Sequence, residues 1–439
     1  MNPEAPVDLS LLPASAMVAA GGRLQVAGVD VGDLADRFGT PLFVYDEEHL
    51  RARCREYRKH FGDGVAYAGK AFLCKAMARL VDEEGVHLDV ATGGELHVAL
   101  AAHFPPERIV FHGNNKSLDE LAGALAAGVG RIVADSDVEL DRIEALVADE
   151  GLPAPRVLIR VTPGVEAHTH EYIETGTDDS KFGFPARSGA ARAAAERVAA
   201  SDAMHFAGLH CHIGSQIYVL DAYTRATSVV VRLAAEVEAL IGSRVEELNL
   251  GGGLGVAYET GQQPPDVADY AGVLRRSLAD AARDAGLRRL PALFVEPGRS
   301  IVARAGITLY RVGTIKEIPG VRTYVAVDGG MSDNPRPATY GARYEAFCPT
   351  RTAAARPLRA TVAGKHCESG DVLVRDAQLP EGLAVGDLLG TPATGAYGYA
   401  MASNYNKVPR PAVVFVAGGR ARLVVRRETL DDLLVLEET

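Results

Sequence analysis

Over its first 300 residues the chain alternates short apolar or β-branched runs with amphipathic, alanine-rich stretches. The candidate strands are Val65–Lys70, His87–Thr92, Ile109–Gly113, Arg131–Asp135, Arg156–Val161, Gly208–Gly214, Glu247–Gly252 and Ala292–Gly298. Between them Ser117–Val129, Asp137–Glu150, Ser188–Ala200 and Val267–Ala285 show helical spacing of apolar residues. Several of these open on Ser or Asp, whose side chains accept the free N–H groups of a first helical turn. Eight strand–helix units in series predict an α/β chain built on a (β/α)8 barrel of the TIM type. An open doubly wound sheet would gather its polar and glycine signals at one crossover point. Here they recur after nearly every strand.

After Arg299 the pattern changes. Ile307–Ile318, Thr323–Val327, Leu358–Val362, Val372–Arg375, Ala412–Val416 and Ala421–Val425 are strand-like and separated by Gly, Pro and Asp turns. Residues 40–300 are therefore expected to form the barrel, and residues 1–39 with 301–439 a mainly β domain. In the N-terminal piece a strand at Arg23–Val26 precedes a helix at Val31–Phe38 and is expected to pair with that domain.

Composition narrows the function classes. A net charge of -11 argues against nucleic acid or an anionic membrane as the main partner, since both select basic surfaces. Any phosphate must be held by local donors. The five cysteines are scattered, with no CxxC, which suits a reducing compartment and leaves Cys367 to be explained by chemistry or burial. No secretory signal pattern and no uninterrupted apolar run of about 18 residues is visible, so a cytoplasmic protein is expected.

In such a barrel reactive groups gather at the C-terminal ends of the strands. The first strand ends in Tyr67-Ala-Gly-Lys70, where partial desolvation lowers a lysine pKa and permits a Schiff base; a solvated surface lysine is the competing reading. Asp89 alternates into an apolar strand and needs an interior partner, either a cofactor ring, Lys70 or a structural contact. His210 and His212 share one face of the sixth strand. A metal site there lacks a carboxylate in register and a further strand-end histidine, so none is expected. His212 fits better as a flat ring stacked on a planar cofactor, with Ser215 offering a hydroxyl to phosphate. A packed core histidine is the alternative for either residue.

The run Gly251-Gly252-Gly253 lets backbone N–H groups approach a phosphate closely, although a bare tight turn would look the same. It lacks the spacing of the nucleotide-binding glycine motifs. Glu296, in Glu296-Pro-Gly-Arg299, can keep a pyridine nitrogen protonated, and Arg299 offers a bidentate fork for phosphate or carboxylate. Near the C-terminus Cys367-Glu368 and the Gly-flanked Tyr397 complete the set.

The chain resembles the fold-type III pyridoxal-phosphate decarboxylases from about Thr40 to Val416. The motifs are Tyr67-Ala-Gly-Lys70, His112-Gly-Asn-Asn-Lys116, Ser180-Lys-Phe-Gly183, His212-Ile-Gly-Ser-Gln216, Glu296-Pro-Gly-Arg299, Asp328–Arg336, Cys367-Glu-Ser-Gly370 and Ser403-Asn-Tyr-Asn406. The resemblance implies an alanine racemase- and ornithine decarboxylase-like fold, pyridoxal 5'-phosphate as cofactor, and decarboxylation of meso-2,6-diaminopimelate at its D-centre to L-lysine. It implies that Lys70 carries the cofactor, His212 stacks on its ring and Glu296 pairs with the ring nitrogen. Asp89, Ser215, Gly251, Gly252, Gly253, Gly298, Arg299 and Tyr397 complete the cofactor site. Arg299, Arg336, Tyr340 and Tyr397 meet the substrate, Glu368 its distal ammonium, and Cys367 is the proton donor to the α-carbon. Cys367 and Glu368 reach across a dimer interface, which implies a homodimer with shared sites.

The residues agree with that substrate. A distal carboxylate and a distal ammonium need an arginine–tyrosine pair and a glutamate, because leaving either group buried and unpaired costs several kcal/mol. An ornithine- or arginine-specific relative needs no arginine clamp. A racemase of this architecture would use tyrosine as its second acid–base group. A metal-dependent barrel hydrolase would draw on His168-Thr-His170 and the 210/212 pair, and the 168–182 segment is a candidate lid.

Overall fold

The computed structural model describes residues 7–166 and 180–438. The chain divides into two compact units, Cys54–Gly255 with Pro264–Ser300, and Met1–Arg53 with Val256–Gln263 and Ile301–Thr439.

The first unit is a parallel barrel of eight strands: β1 (Ala66–Ala68), β2 (His87–Val90), β3 (Ile109–Phe111), β4 (Arg131–Ala134), β5 (Arg156–Thr162), β6 (His205–His210), β7 (Glu247–Asn249) and β8 (Ala292–Phe294). Each pairs with its neighbours in chain order from β1 to β8. The ring closes where Ala66 N–H donates to Val295 O (2.9 Å) and Val295 N–H to Gly64 O (2.9 Å). Ala66, Val110, Val133, Leu158 and Ala207, one from each of five strands, pack into a single buried cluster. Small and branched side chains fill the interior, so the barrel is a core and its open chemistry sits at the strand ends.

Local sequence sets the helices between strands. Ser117 accepts from Glu120 N–H while Glu120 returns a bond to Ser117 N–H, opening the helix Leu118–Ala127 with a capping box. Thr92 caps Gly93–Ala101 by accepting from Glu95 N–H. Both helices therefore start directly after β2 and β3, leaving only short segments at the strand ends. The segment 168–170 and most of 168–182 lie outside the described residues.

The second unit is built on an eight-stranded mixed sheet. Its order runs Val372–Leu379, Leu358–Ala363, Arg322–Val327, Gly306–Ile318, Leu42–Asp46, Ala412–Ala417, Arg420–Val425, with Leu388–Thr391 also pairing with Gly306–Ile318. The division between units falls at Arg53, later than residue 40. The reason is pairing: Leu42–Asp46 hydrogen-bonds antiparallel to Gly306–Ile318 and parallel to Ala412–Ala417. Leu24–Val26 joins a separate three-stranded sheet, and Leu24 N–H donates to Pro349 O (2.7 Å). Among the described residues no helix is long and apolar enough to cross a membrane.

Candidate active site

Glu296 follows β8 and is buried, at 6 % exposure. His112 Nε2–H, just past β3, donates to its Oε1 at 2.8 Å, and His210 Nε2–H, ending β6, donates to its Oε2 at 3.0 Å. Asn249 Nδ2–H, ending β7, adds a third bond to Oε1 at 2.7 Å. Burial alone would push this carboxyl up. Electrostatic attraction and hydrogen bonds from the two N–H donors of His112 and His210 outweigh that and hold it well below the usual carboxylate range.

The two imidazoles are not equivalent. Burial lowers both, but Asp89 and Glu296 together keep His112 above its ordinary value. For His210 burial prevails and takes it down to about 4. His210 is thus neutral, its one proton on Nε2, and its buried Nδ1 has no hydrogen-bond partner among the described residues. Asp89 lies 3.8 Å from His112 Nε2, and burial raises its carboxyl to about 6 against the pull of that histidine.

The glycine run crosses the same strand ends. A Cβ on Gly252 would stand 2.1 Å from Glu296 O, and one on Gly253 2.2 Å from Gly214 O. Only glycine permits this approach. Gly252 N–H donates to His212 Nδ1 (3.2 Å), fixing the tautomer of His212 with its proton on Nε2. Burial and the nearby Lys70 charge hold His212 well below its ordinary pKa, so the ring is neutral. Ser215 Oγ accepts from Arg299 Nε (3.1 Å) and Nη2 (2.9 Å), leaving its own O–H to donate elsewhere. Gly298 lies against Ala68 and Ala71, the residues flanking the turn that carries exposed Lys70.

This donor set fits a planar ring bearing a phosphate. Glu296 Oε2 has one donor and room for a second, the glycine run leaves no side chain in the way, and Arg299 with Ser215 supplies anion donors. His112, His210 and Glu296 also form a compact trio, their candidate ligand atoms within 4.8 Å of one another. The expectation that no carboxylate stands in register with His210 is thereby corrected. Barrel closure brings Glu296 from β8 and His112 from β3 to the same point, over sequence separations of 86 and 184 residues. The distances are those of N–H···O bonds, so the trio reads as a hydrogen-bonded carboxylate. The sixth strand ends at His210, which places His212 in the following loop and not on the strand face.

The remaining sequence candidates belong to the second unit. Arg336 is buried, stacks over Tyr258 (4.7 Å to the ring centre) and donates to Tyr344 OH. Tyr340 closes the same short helix, Arg336–Tyr340, and is half-buried. Tyr397 holds a positive φ of 59°, uncommon for a bulky residue. Cys367 is exposed while Cys54, Cys74, Cys211 and Cys348 are buried, and Glu368 beside it is exposed too. His112 and Asn249 were given no role on sequence grounds; their positions closing the third and seventh strands were the available signal.

Residues 47–303 match the family described as pyridoxal-dependent decarboxylase, pyridoxal binding domain. The chain is 50% identical over 426 residues to the diaminopimelate decarboxylase of Mycobacterium tuberculosis, covering 95% of each chain. It is 48% identical over 421 residues to that of Bacillus subtilis, again covering 95% of each. The solved diaminopimelate decarboxylase of M. jannaschii, in co-complex with L-lysine, superposes with a TM-score of 0.90 at 34% identity, over 100% of this chain and 99% of that one.

Proposed function

This chain belongs to the diaminopimelate decarboxylases, within the pyridoxal-dependent decarboxylases, and from that premise we propose that it converts meso-2,6-diaminopimelate to L-lysine and carbon dioxide at the D-configured centre. The cofactor is pyridoxal 5'-phosphate. Bound there, it supplies an electron-withdrawing ring that accepts charge from the α-carbon as the carboxylate leaves.

The chain's own residues do the rest. Lys70 holds the cofactor covalently through Nζ. Glu296, kept anionic, pairs with the ring nitrogen, and Asp89 supports that cluster through His112. His212 is neutral and lies on the ring face. Ser215, Gly251, Gly252, Gly253, Gly298, Arg299 and Tyr397 hold the phosphate. Arg299, Arg336, Tyr340 and Tyr397 orient the substrate, with the arginines and Tyr340 on its distal carboxylate. Glu368 takes the distal ammonium, and Cys367 delivers a proton to the α-carbon. A second copy of the chain supplies Cys367 and Glu368, so the working unit is a homodimer, acting in the cytoplasm.

The observation that carries this reading is Glu296, a fully enclosed carboxylate held ionised by two imidazoles and an amide. The test begins with borohydride reduction of the holoenzyme and peptide mapping. Cofactor mass on Lys70, with L-lysine formed from meso-diaminopimelate, is the expected result. Lys70→Ala should lose the visible cofactor band; a variant that kept it would contradict the assignment. Turnover of ornithine in place of diaminopimelate would redirect the substrate reading.

A further inference from the structure

The loop 364–371 joins two antiparallel strands, Leu358–Ala363 and Val372–Leu379, with Ala363 paired to Val372. Cys367 and Glu368 are exposed in this loop, yet its base is the reverse. Asp371 is 3 % exposed and His366 is 8 % exposed. Asp371 Oδ1 accepts from Met331 N–H (2.7 Å), and Oδ2 accepts from both His366 N–H (2.9 Å) and His366 Nδ1–H (2.8 Å). The same residue's backbone receives Gly364 N–H (2.9 Å) and donates to Glu368 O (3.1 Å). One carboxylate thus ties the start of the loop, its end and the neighbouring 329–331 turn together.

The surroundings are shaped to it. A Cβ on Gly364 would stand 2.1 Å from Asp371 Oδ2, and one on Gly330 2.6 Å from both that oxygen and His366 Nδ1. The His366 ring lies flat against Tyr405 (5.7 Å between centres, 9° between planes), and its buried Nε2 has no partner among the described residues. Asn406, one residue on, accepts Cys367 N–H at 3.0 Å. The loop tip is therefore fixed from its base by Asp371 and from outside by Asn406. His366 contributes a single hydrogen-bonding edge, Nδ1, and spends it on Asp371.

We propose that Asp371 and His366 are positioning residues, a clasp that holds the 364–371 loop in the one shape that presents Cys367 and Glu368. This rests on the reading of Cys367 as proton donor and Glu368 as ammonium partner. Neither clasp residue touches the reacting atoms; both act through the loop.

The test is a double-mutant cycle on the holoenzyme with meso-diaminopimelate, joined to the labelling rate of the exposed thiol by an aromatic disulfide reagent. Asp371→Asn should lower kcat about 10²-fold, the loss that follows a misplacement of about 1 Å, with the cofactor band unchanged. His366→Phe keeps the ring stack, deletes one charge-assisted bond and should lose roughly tenfold; it carries the test if Asp371→Asn does not fold. Combined with Cys367→Ser, Asp371→Asn should cost little further in kcat, because the thiol's step is already impaired, while KM still rises through the displaced Glu368. Losses in kcat that multiply, or an unchanged kcat in both clasp variants, overturn the clasp. Full turnover by Cys367→Ser removes the donor reading instead, and the labelling rate then decides: an altered rate in Asp371→Asn supports the clasp, a wild-type rate overturns it.

Discussion

Glu296 in the barrel and Asp333 in the β unit are both enclosed carboxylates, and burial acts on them in opposite net directions. Asp333 is 1 % exposed, accepts from Tyr310 OH (2.5 Å) and Gly330 N–H (2.7 Å), and is pushed up to about 7, first by burial and then by Asp371 and Asp328. Glu296 suffers the same burial but accepts hydrogen bonds from two imidazoles, one of them held above its ordinary pKa, and stays ionised. Partner charge, and not depth, separates a carboxyl that is a proton store from one that is a fixed anion. On the proposed reading the barrel site needs the second kind, because there an anion meets the ring nitrogen.

The contrast can be broken at Glu296 first. Glu296→Gln keeps the shape but removes the charge, and kcat should fall about 10²- to 10³-fold with cofactor still bound, as for loss of a preorganised electrostatic partner. Steady-state rates with a cofactor spectrum check it. Replacing His112 by Asn sharpens the comparison. Without that imidazole the Glu296 pKa rises towards its ordinary value, so the acid limb of the kcat/KM profile should move to higher pH, with a loss of roughly tenfold at neutral pH. An unmoved limb would mean that His210 and Asn249 suffice.

The third effect concerns stability, not rate, in the β unit. Between the ordinary value of 3.8 and about 7 native Asp333 keeps a proton that the unfolded chain has released. Stability from this group therefore falls as pH rises through that window, by as much as about 4 kcal/mol. Asp333→Asn should flatten that slope in urea unfolding measured at several pH values. A slope identical to the wild type would assign the proton elsewhere.

The comparison also explains what could be read from the residues. Six barrel strands begin at the expected residue, from His87 to Ala292. Five of them stop short of the expected C-terminal end, while β5 runs one residue past it to Thr162. Glu247 opens β7, but the ladder stops at Asn249 and the glycines peel away to form the site. Lys70, Glu296 and Arg299 stand out in the sequence because each lies beside Gly or Pro just past a barrel strand. The partners of Glu296 were not, since His112, His210 and Asn249 meet it only when the ring closes. Leu42–Asp46 was assigned to the barrel for a related reason. Nothing local marks a strand whose partners lie beyond residue 300. The proposed substrate roles of Arg336, Tyr340 and Glu368 rest on the family resemblance alone.

That interleaving has a temporal consequence. Leu42–Asp46 is buried along its whole length, yet both of its neighbours are made much later, the nearer one roughly 260 residues downstream. At about 5–20 residues per second a ribosome needs roughly a quarter of a minute to a minute to deliver it. For that interval the nascent chain carries an apolar segment with two open edges, while the barrel behind it can already be closing. The β unit can be completed only after the barrel's sequence has emerged, so the early strand must wait unpaired through the synthesis of everything between.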